Sequence, residues 1–285
     1  MNSLLRKEAE RPDPWGSKFL SEFFSNHEKA ISVGSVAEIK DAVSSFEKII
    51  DGRPDGAVRQ IFDRIKSVVK YSSFCDKERV GWNAYSLCEA FQYVMCPYCQ
   101  QSLAITVYKG EDGAFRPTLD HFYPKHKFPF LALSLYNLIP SCQSCNSSLK
   151  GSLDFSKTEH LHPYDSDESV SFVIDVNEYL NSRSQGKKNW SFSVSCAPDS
   201  ASVNSVRTFA IKERYAMVGA FIDRFAESAY LRFSSDKGKY REILPAADVE
   251  AELDSLMGFN PSEYRNEFMG KMKLNVYNMV RDHYK

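Results

Sequence analysis

No apolar run in this chain is long enough to span a bilayer. The N-terminus, Met1-Asn2-Ser3-Leu4-Leu5-Arg6-Lys7-Glu8, turns charged before an apolar signal region can form. The expectation is a cytosolic, cytoplasmic protein with no membrane partner. Charge of one sign is missing too. Lysine and arginine number 36 against 37 aspartates and glutamates, a formal net charge of -1. The chain as a whole is therefore not a basic nucleic-acid binder, and any phosphate-binding face has to be local. There is no internal repeat and no low-complexity tract. The cysteine pattern of a secreted disulfide protein is also absent: the count of 7 is odd, and Cys75, Cys88 and Cys196 stand alone. Those three read as buried thiols.

What is present suffices for a conventional core, with 43% hydrophobic and 13% aromatic residues. The length fits one large domain or a small one wrapped by helices. Four further cysteines form two tight pairs, Cys96-Pro97-Tyr98-Cys99 and Cys142-Gln143-Ser144-Cys145. Two such knuckles supply four thiolates at the corners of a tetrahedron, the ligand set of a structural Zn²⁺. Between them lies Thr118-Leu119-Asp120-His121-Phe122-Tyr123-Pro124-Lys125, and Asn146 follows the second pair directly.

Apolar spacing places helices at both ends. After an irregular opening to residue 33, Ser35 and Glu38 form a capping-box signature before Val36, Ile39, Val43, Phe46 and Ile49. A second helix runs through Val58, Ile61, Ile65 and Val68, and a third covers residues 85–94. In the middle, a strand at 104–108, a Gly110–Gly113 turn and a strand at 115–122 predict a hairpin carrying Asp120 and His121 at its end. Residues 128–138 read as a short helix and connection, and Asn146 to Leu149 as the start of another. Beyond them come strands at 170–176 and 190–196 around a polar connection at 181–188. Helices at 203–233, 246–257 and 262–283 complete the chain. Phe221, Phe225, Tyr230 and Phe233 follow helical spacing and read as core. The predicted class is α+β: a zinc-clamped ββα core (91–165) embraced by a helical N-terminal region (1–90) and a β-hairpin plus helical C-terminal region (166–285).

Phosphodiester hydrolysis needs a base to activate water, a cation to stabilise charge on phosphate, and a frame to hold both. His121 at a strand end is the candidate base, since neutral imidazole titrates near neutral pH. Asp120 and Asn146 are candidate oxygen ligands for a catalytic Mg²⁺ or Mn²⁺. Cys96 to Gly151 resembles an HNH endonuclease of the His-Me finger (ββα-metal) class. The resemblance rests on Asp120-His121-Phe122-Tyr123-Pro124, on Asn137-Leu138, and on Cys142-x-x-Cys145-Asn146 running to Lys150-Gly151. It implies that His121 is the general base, that Asn137 braces the loop carrying it, and that Asn146 is a metal ligand. Asparagine at that last position, more often histidine, makes an H-N-N variant. Asp-His-Phe-Tyr-Pro-Lys, Asn-Leu-Ile-Pro-Ser-Cys and His162-Pro163-Tyr164 further resemble the HNH proteins of bacterial anti-phage systems. In the Septu type and some retrons, such a nuclease works beside a separate ATPase.

The resulting expectation is a metal-dependent endonuclease acting on DNA in anti-phage defence. An RNA-cleaving enzyme, acting for example on tRNA, is the first alternative, because the motif does not read the 2′-hydroxyl. A non-catalytic zinc-clamped adaptor for nucleic acid or a partner is the second. Lys125 and Lys150 stand between phosphate contacts and solvated lysines. The run Lys125-His126-Lys127 offers a local basic face, whereas Lys237, Lys239 and Arg241 read as solvated surface. His162 stands between packing and a further metal ligand, and the role of His160 is open.

Overall fold

The computed structural model describes residues 17–76, 78, 80–108, 114–165, 169–187, 190–234, 255 and 257–285. The chain divides into two compact units: Met1–Gln92 with Ala104–Ser166, and Tyr93–Leu103 with Asp167–Lys285. Helices and small antiparallel sheets together make it α+β. Among the described residues, no helix is long and apolar enough to cross a membrane.

Among the described residues, the N-terminal part of the first unit has six helices: α1 (Ser17–Asn26), α2 (Glu28–Ser32), α3 (Val36–Ile50), α4 (Asp55–Val68), α5 (Tyr71–Cys75) and α6 (Ala84–Glu89). Ser35 and Glu38 start α3 with reciprocal hydrogen bonds, the Ser35 N–H donating to Glu38 Oε2 at 2.7 Å. That satisfies two of the donors that a helix start leaves unpaired. The segment before it, expected to be irregular, is helical from Ser17. Leu20, Phe23 and Phe24 stand at helical spacing and all three are buried. The third expected helix stops at Glu89, five residues early, after an Asn83 cap whose Oδ1 accepts from the Tyr85 and Ser86 N–H groups.

The strands depart further from expectation. The predicted 115–122 strand is cut in two by Pro117, which has no N–H for a ladder. This leaves β1 (Val107–Tyr108) paired with β2 (Ala114–Phe115), and a separate β3 (Thr118–His121). The turn expected at Gly110–Gly113 lies outside the described residues. β3 pairs antiparallel with β4 (Leu138–Ser141), the register setting Asp120 opposite Ile139 and His121 opposite Leu138. The predicted helix at 128–138 is instead two 3₁₀ turns, Pro129–Leu131 and Leu135–Asn137, leading into β4. Burial decides this, since Leu138, Ile139, Pro140 and Ser141 are all enclosed and two-sided burial favours a strand. A π-helix, Ser144–Lys150, follows β4, with the Gly151 N–H donating to the Asn146 carbonyl five residues back.

The helices of this unit hold the loop between β3 and β4. Phe130 of that loop packs 5.0 Å from Phe23 and 4.8 Å from Phe46, ring centre to centre, and is fully buried. Ser134 Oγ donates to the Ala30 carbonyl at 2.7 Å. Truncating a phenylalanine so enclosed costs about 3–5 kcal/mol, which measures how firmly the loop is seated.

In the second unit, β5 (Val170–Ile174) pairs antiparallel with β6 (Phe192–Cys196). The polar connection expected at 181–188 begins inside α7 (Val176–Ser184), which Asp175 caps by accepting from the Glu178 N–H. The long helix expected at 203–233 is three helices: α8 (Ser200–Thr208), α9 (Ile211–Ala216) and α10 (Gly219–Ser234). The first break falls at Ala210, whose φ of 49° is left-handed. On α10, Phe225 is buried but Phe221 is exposed, so that face is only partly core. The helix expected at 246–257 lies almost wholly outside the described residues. The last one splits into a 3₁₀ segment, Pro261–Asn266, and α11 (Gly270–His283). Gly270 is required there: a Cβ would sit 1.6 Å from the Tyr264 carbonyl oxygen. The first cysteine knuckle belongs to this unit. The Met269 N–H donates to the Gln100 carbonyl at 2.7 Å, and Tyr215 Oη donates to the Cys99 carbonyl at 3.1 Å.

Candidate active site

The four sulfurs of Cys96, Cys99, Cys142 and Cys145 lie within 4.8 Å of one another. A tetrahedral zinc with bonds of about 2.3 Å spaces its sulfurs about 3.8 Å apart, so the cluster could hold zinc with little adjustment. Cys96, Cys99 and Cys145 are buried and Cys142 is half-buried. In each knuckle a backbone N–H points at sulfur: Gln101 at Cys99 Sγ (3.4 Å) and Cys145 at Cys142 Sγ (3.5 Å). Such donors favour the thiolate form a metal requires. Four thiolates fill a tetrahedron, so a zinc held here would be structural. Of the remaining cysteines, Cys88 is buried, with its thiol pushed up to about 11 chiefly by that burial. Cys75 and Cys196 are only half-buried, contrary to expectation.

His121 ends β3 and its ring is held on two sides. Nε2 lies 3.1 Å from the Ala132 carbonyl. A carbonyl only accepts, so Nε2 carries the hydrogen and Nδ1 of the neutral ring keeps its lone pair. The Tyr71 ring stands edge-on, 4.6 Å away, and Lys125 Nζ lies 4.0 Å from the centre of that tyrosine ring. Burial first, and the Lys125 charge second, lower the imidazole to about 3.

Asn137 is fully enclosed at the far end of the same loop. Its Oδ1 accepts from the Tyr123 N–H at 2.7 Å, and its Nδ2 donates to the Tyr123 and Leu131 carbonyls at 3.1 Å. The amide thus closes the loop that presents the Ala132 carbonyl to His121. Asn146 is half-buried in the first turn of the π-helix, and its backbone N–H donates to the Cys142 carbonyl at 3.0 Å.

Asp120 is 2% exposed and Lys150 3%, and Lys150 Nζ donates to Asp120 Oδ1 at 2.8 Å. The same ammonium donates to the His121 carbonyl at 2.7 Å. Lys150 is thus buried and paired, not a solvated lysine. Asp120 and Asn146 are hard oxygen donors of the kind magnesium or manganese takes, and they fit such an ion in kind. One oxygen of Asp120, however, is already committed to Lys150.

His162 is no metal ligand. Its Nε2–H donates to the Tyr136 carbonyl at 2.8 Å, and its Nδ1 accepts from the Tyr164 N–H at 3.2 Å, so both ring nitrogens are committed. His160 donates from Nδ1 to the Thr158 carbonyl and stacks on Phe155 at 3.6 Å. Burial lowers His162 to about 4. Both His121 and His162 are therefore neutral when folded and ordinary bases when unfolded. As pH falls through about 6.5, the unfolded chain takes up protons that the folded chain refuses. Folding stability should drop by about 2 kcal/mol per histidine between pH 6.5 and 5. Urea unfolding at the two pH values tests this, and a His162→Gln variant should show about half the slope. A slope unchanged by that substitution would contradict a neutral, enclosed His162.

Comparison with family models, curated proteins and solved structures returned no match. The functional reading therefore stands on the residues themselves. Of those that matter, sequence reasoning missed Tyr71, the Ala132 carbonyl and the burial of Lys150. Only the last left a trace, as a Lys-Gly pair at fixed distance from the second knuckle. Tyr71 lies fifty residues upstream of His121 in an ordinary helical pattern.

Proposed function

We propose that the chain is an HNH-type endonuclease that hydrolyses phosphodiester bonds, with DNA as substrate and bacterial anti-phage defence as its setting. The observation that carries this reading is the orientation of His121. With Nε2–H given to the Ala132 carbonyl, Nδ1 is the nitrogen left to take a proton from water. Burial keeps the ring unprotonated at neutral pH, the form a base needs. A phosphodiester anion beside it would favour the proton it picks up.

The other residues take supporting roles. Asn137 holds the loop that orients the imidazole. Lys125, exposed beside Tyr71, offers a positive charge to phosphate. Asp120 and Asn146 would hold Mg²⁺ or Mn²⁺, which when bound supplies charge against the oxygens of the breaking bond. The two cysteine knuckles would hold structural zinc, and the second fixes the start of the helix that carries Asn146. A strand pair followed at once by a helix, β3-β4 and Ser144–Lys150, supports the ββα assignment. A net charge of -1 supports delivery of substrate by a partner, for which an ATPase subunit is the proposal.

The test is cleavage by the full-length protein, alone and with the products of neighbouring genes. Supercoiled plasmid and total RNA are offered in EDTA, Mg²⁺ or Mn²⁺. Nicking of the plasmid that requires a divalent ion is expected. Degraded RNA beside intact plasmid would move the substrate to RNA. No metal-stimulated turnover on either would sink the enzyme and leave the binding adaptor.

A further inference from the structure

We propose that Lys150 is a positioning residue of this site, tying the end of the π-helix to both Asp120 and His121; the proposal rests on the nuclease reading above. An ammonium taken out of water is costly unless its hydrogens are used and its charge is met. Lys150 has both provisions. Nζ donates to the His121 carbonyl at 2.7 Å and to Asp120 Oδ1 at 2.8 Å, and lies 4.8 Å from the centre of the Phe155 ring. Phe155 is itself fixed, stacked on His160 and edge-on to Phe122 at 5.0 Å. The lysine therefore sits in a socket built for it.

The tie has a defined geometry. On the strand side it grips two consecutive residues, the proposed base by its carbonyl and the proposed ligand by its carboxylate. On the helix side Lys150 stands four residues after Asn146, close to one turn along the same π-helix. One ammonium thus sets the spacing between the strand that presents His121 and the helix that presents Asn146. It also shares the Asp120 carboxylate with any divalent ion, and two positive charges on one carboxylate oppose each other. Lys150 should therefore weaken cation binding while it improves the alignment of the base.

A lysine that merely stabilised the fold would not have these opposite effects. Lys150→Met is expected to bind Mn²⁺ about tenfold more tightly, because a like charge has gone. Its kcat on plasmid should nevertheless fall about tenfold or more, because alignment is lost. Mn²⁺ affinity is read by electron paramagnetic resonance titration, and zinc content and circular dichroism report the fold. Affinity and kcat falling together, or both unchanged, would overturn the proposal.

Reductive methylation of the unaltered protein provides a measurement that does not depend on the variant folding. Lys150 should react about tenfold more slowly than the exposed Lys157, with and without Mn²⁺, because a paired, enclosed amine is protected. Equal rates would refute the tie. Absence of Mn²⁺ binding in both proteins, with Lys150 still protected, would uphold the tie and count against the nuclease reading.

Discussion

Serine in place of Cys145 is expected to strip one equivalent of zinc from each molecule and to unfold the second knuckle. A serine hydroxyl does not ionise near neutral pH, so the cluster of four thiols within 4.8 Å loses one of its charged ligands. The free energy that a metal held there would contribute is large. Structural zinc contributes apparent binding free energies of about 10–16 kcal/mol in small zinc modules, and that energy is folding energy. The loss should stay partial, because the Phe23, Phe46 and Phe130 rings pack on one another without any of the four cysteines. Elemental analysis should find one zinc per unaltered chain and none in the variant, with a lowered melting temperature. An unaltered protein that purifies without metal, its four thiols all reactive to a disulfide reagent, would make the cluster ordinary cysteines.

Replacing His121 with alanine should lower kcat by about 10²–10⁴-fold, the range that a positioned base contributes. KM should change little, because the imidazole is enclosed and offers substrate at most one nitrogen. Zinc content should be unchanged. The variant leaves the Ala132 carbonyl without its donor, so a stability loss of about 1–3 kcal/mol is expected alongside. Asparagine at 121 separates the two effects, since its amide can still donate to a carbonyl but cannot act as the base. Plasmid nicking undiminished in both variants would remove His121 from the mechanism.

The cysteine cluster and the His121 site differ in how legible they are in the sequence. The four-cysteine cluster is written in local spacing, because two residues between cysteines suffice to turn a chain back on a metal. The capping box at Ser35 and Glu38 is equally local. The π-helix after the second knuckle was expected one element type away, as an ordinary short helix. Strand pairing was harder. The run 115–122 alternates well enough to suggest one strand, but Pro117 splits it. The partner of the half bearing His121 is Leu138–Ser141, some twenty residues on. Nothing in the local pattern of 128–138 announces that its end is a strand. Burial on both faces does, and burial is a property of the assembled unit.

The sequence by itself determined which chemistries were on offer: four thiols in metal spacing, an Asp-His dipeptide between them, an asparagine directly after, and helices at both ends. The tertiary structure decided how those groups are used. It turned the Lys-Gly after the second knuckle into a buried tie on Asp120 and His121. It gave Nε2 of His121 to a carbonyl eleven residues away, and it used both nitrogens of His162 in packing. The physical reason is range. Ligand spacing and helix caps act over two to four residues, and short-range geometry is encoded residue by residue. Which charge is desolvated, and what then answers it, depends on residues 11 to 30 positions apart meeting only when the loop is closed.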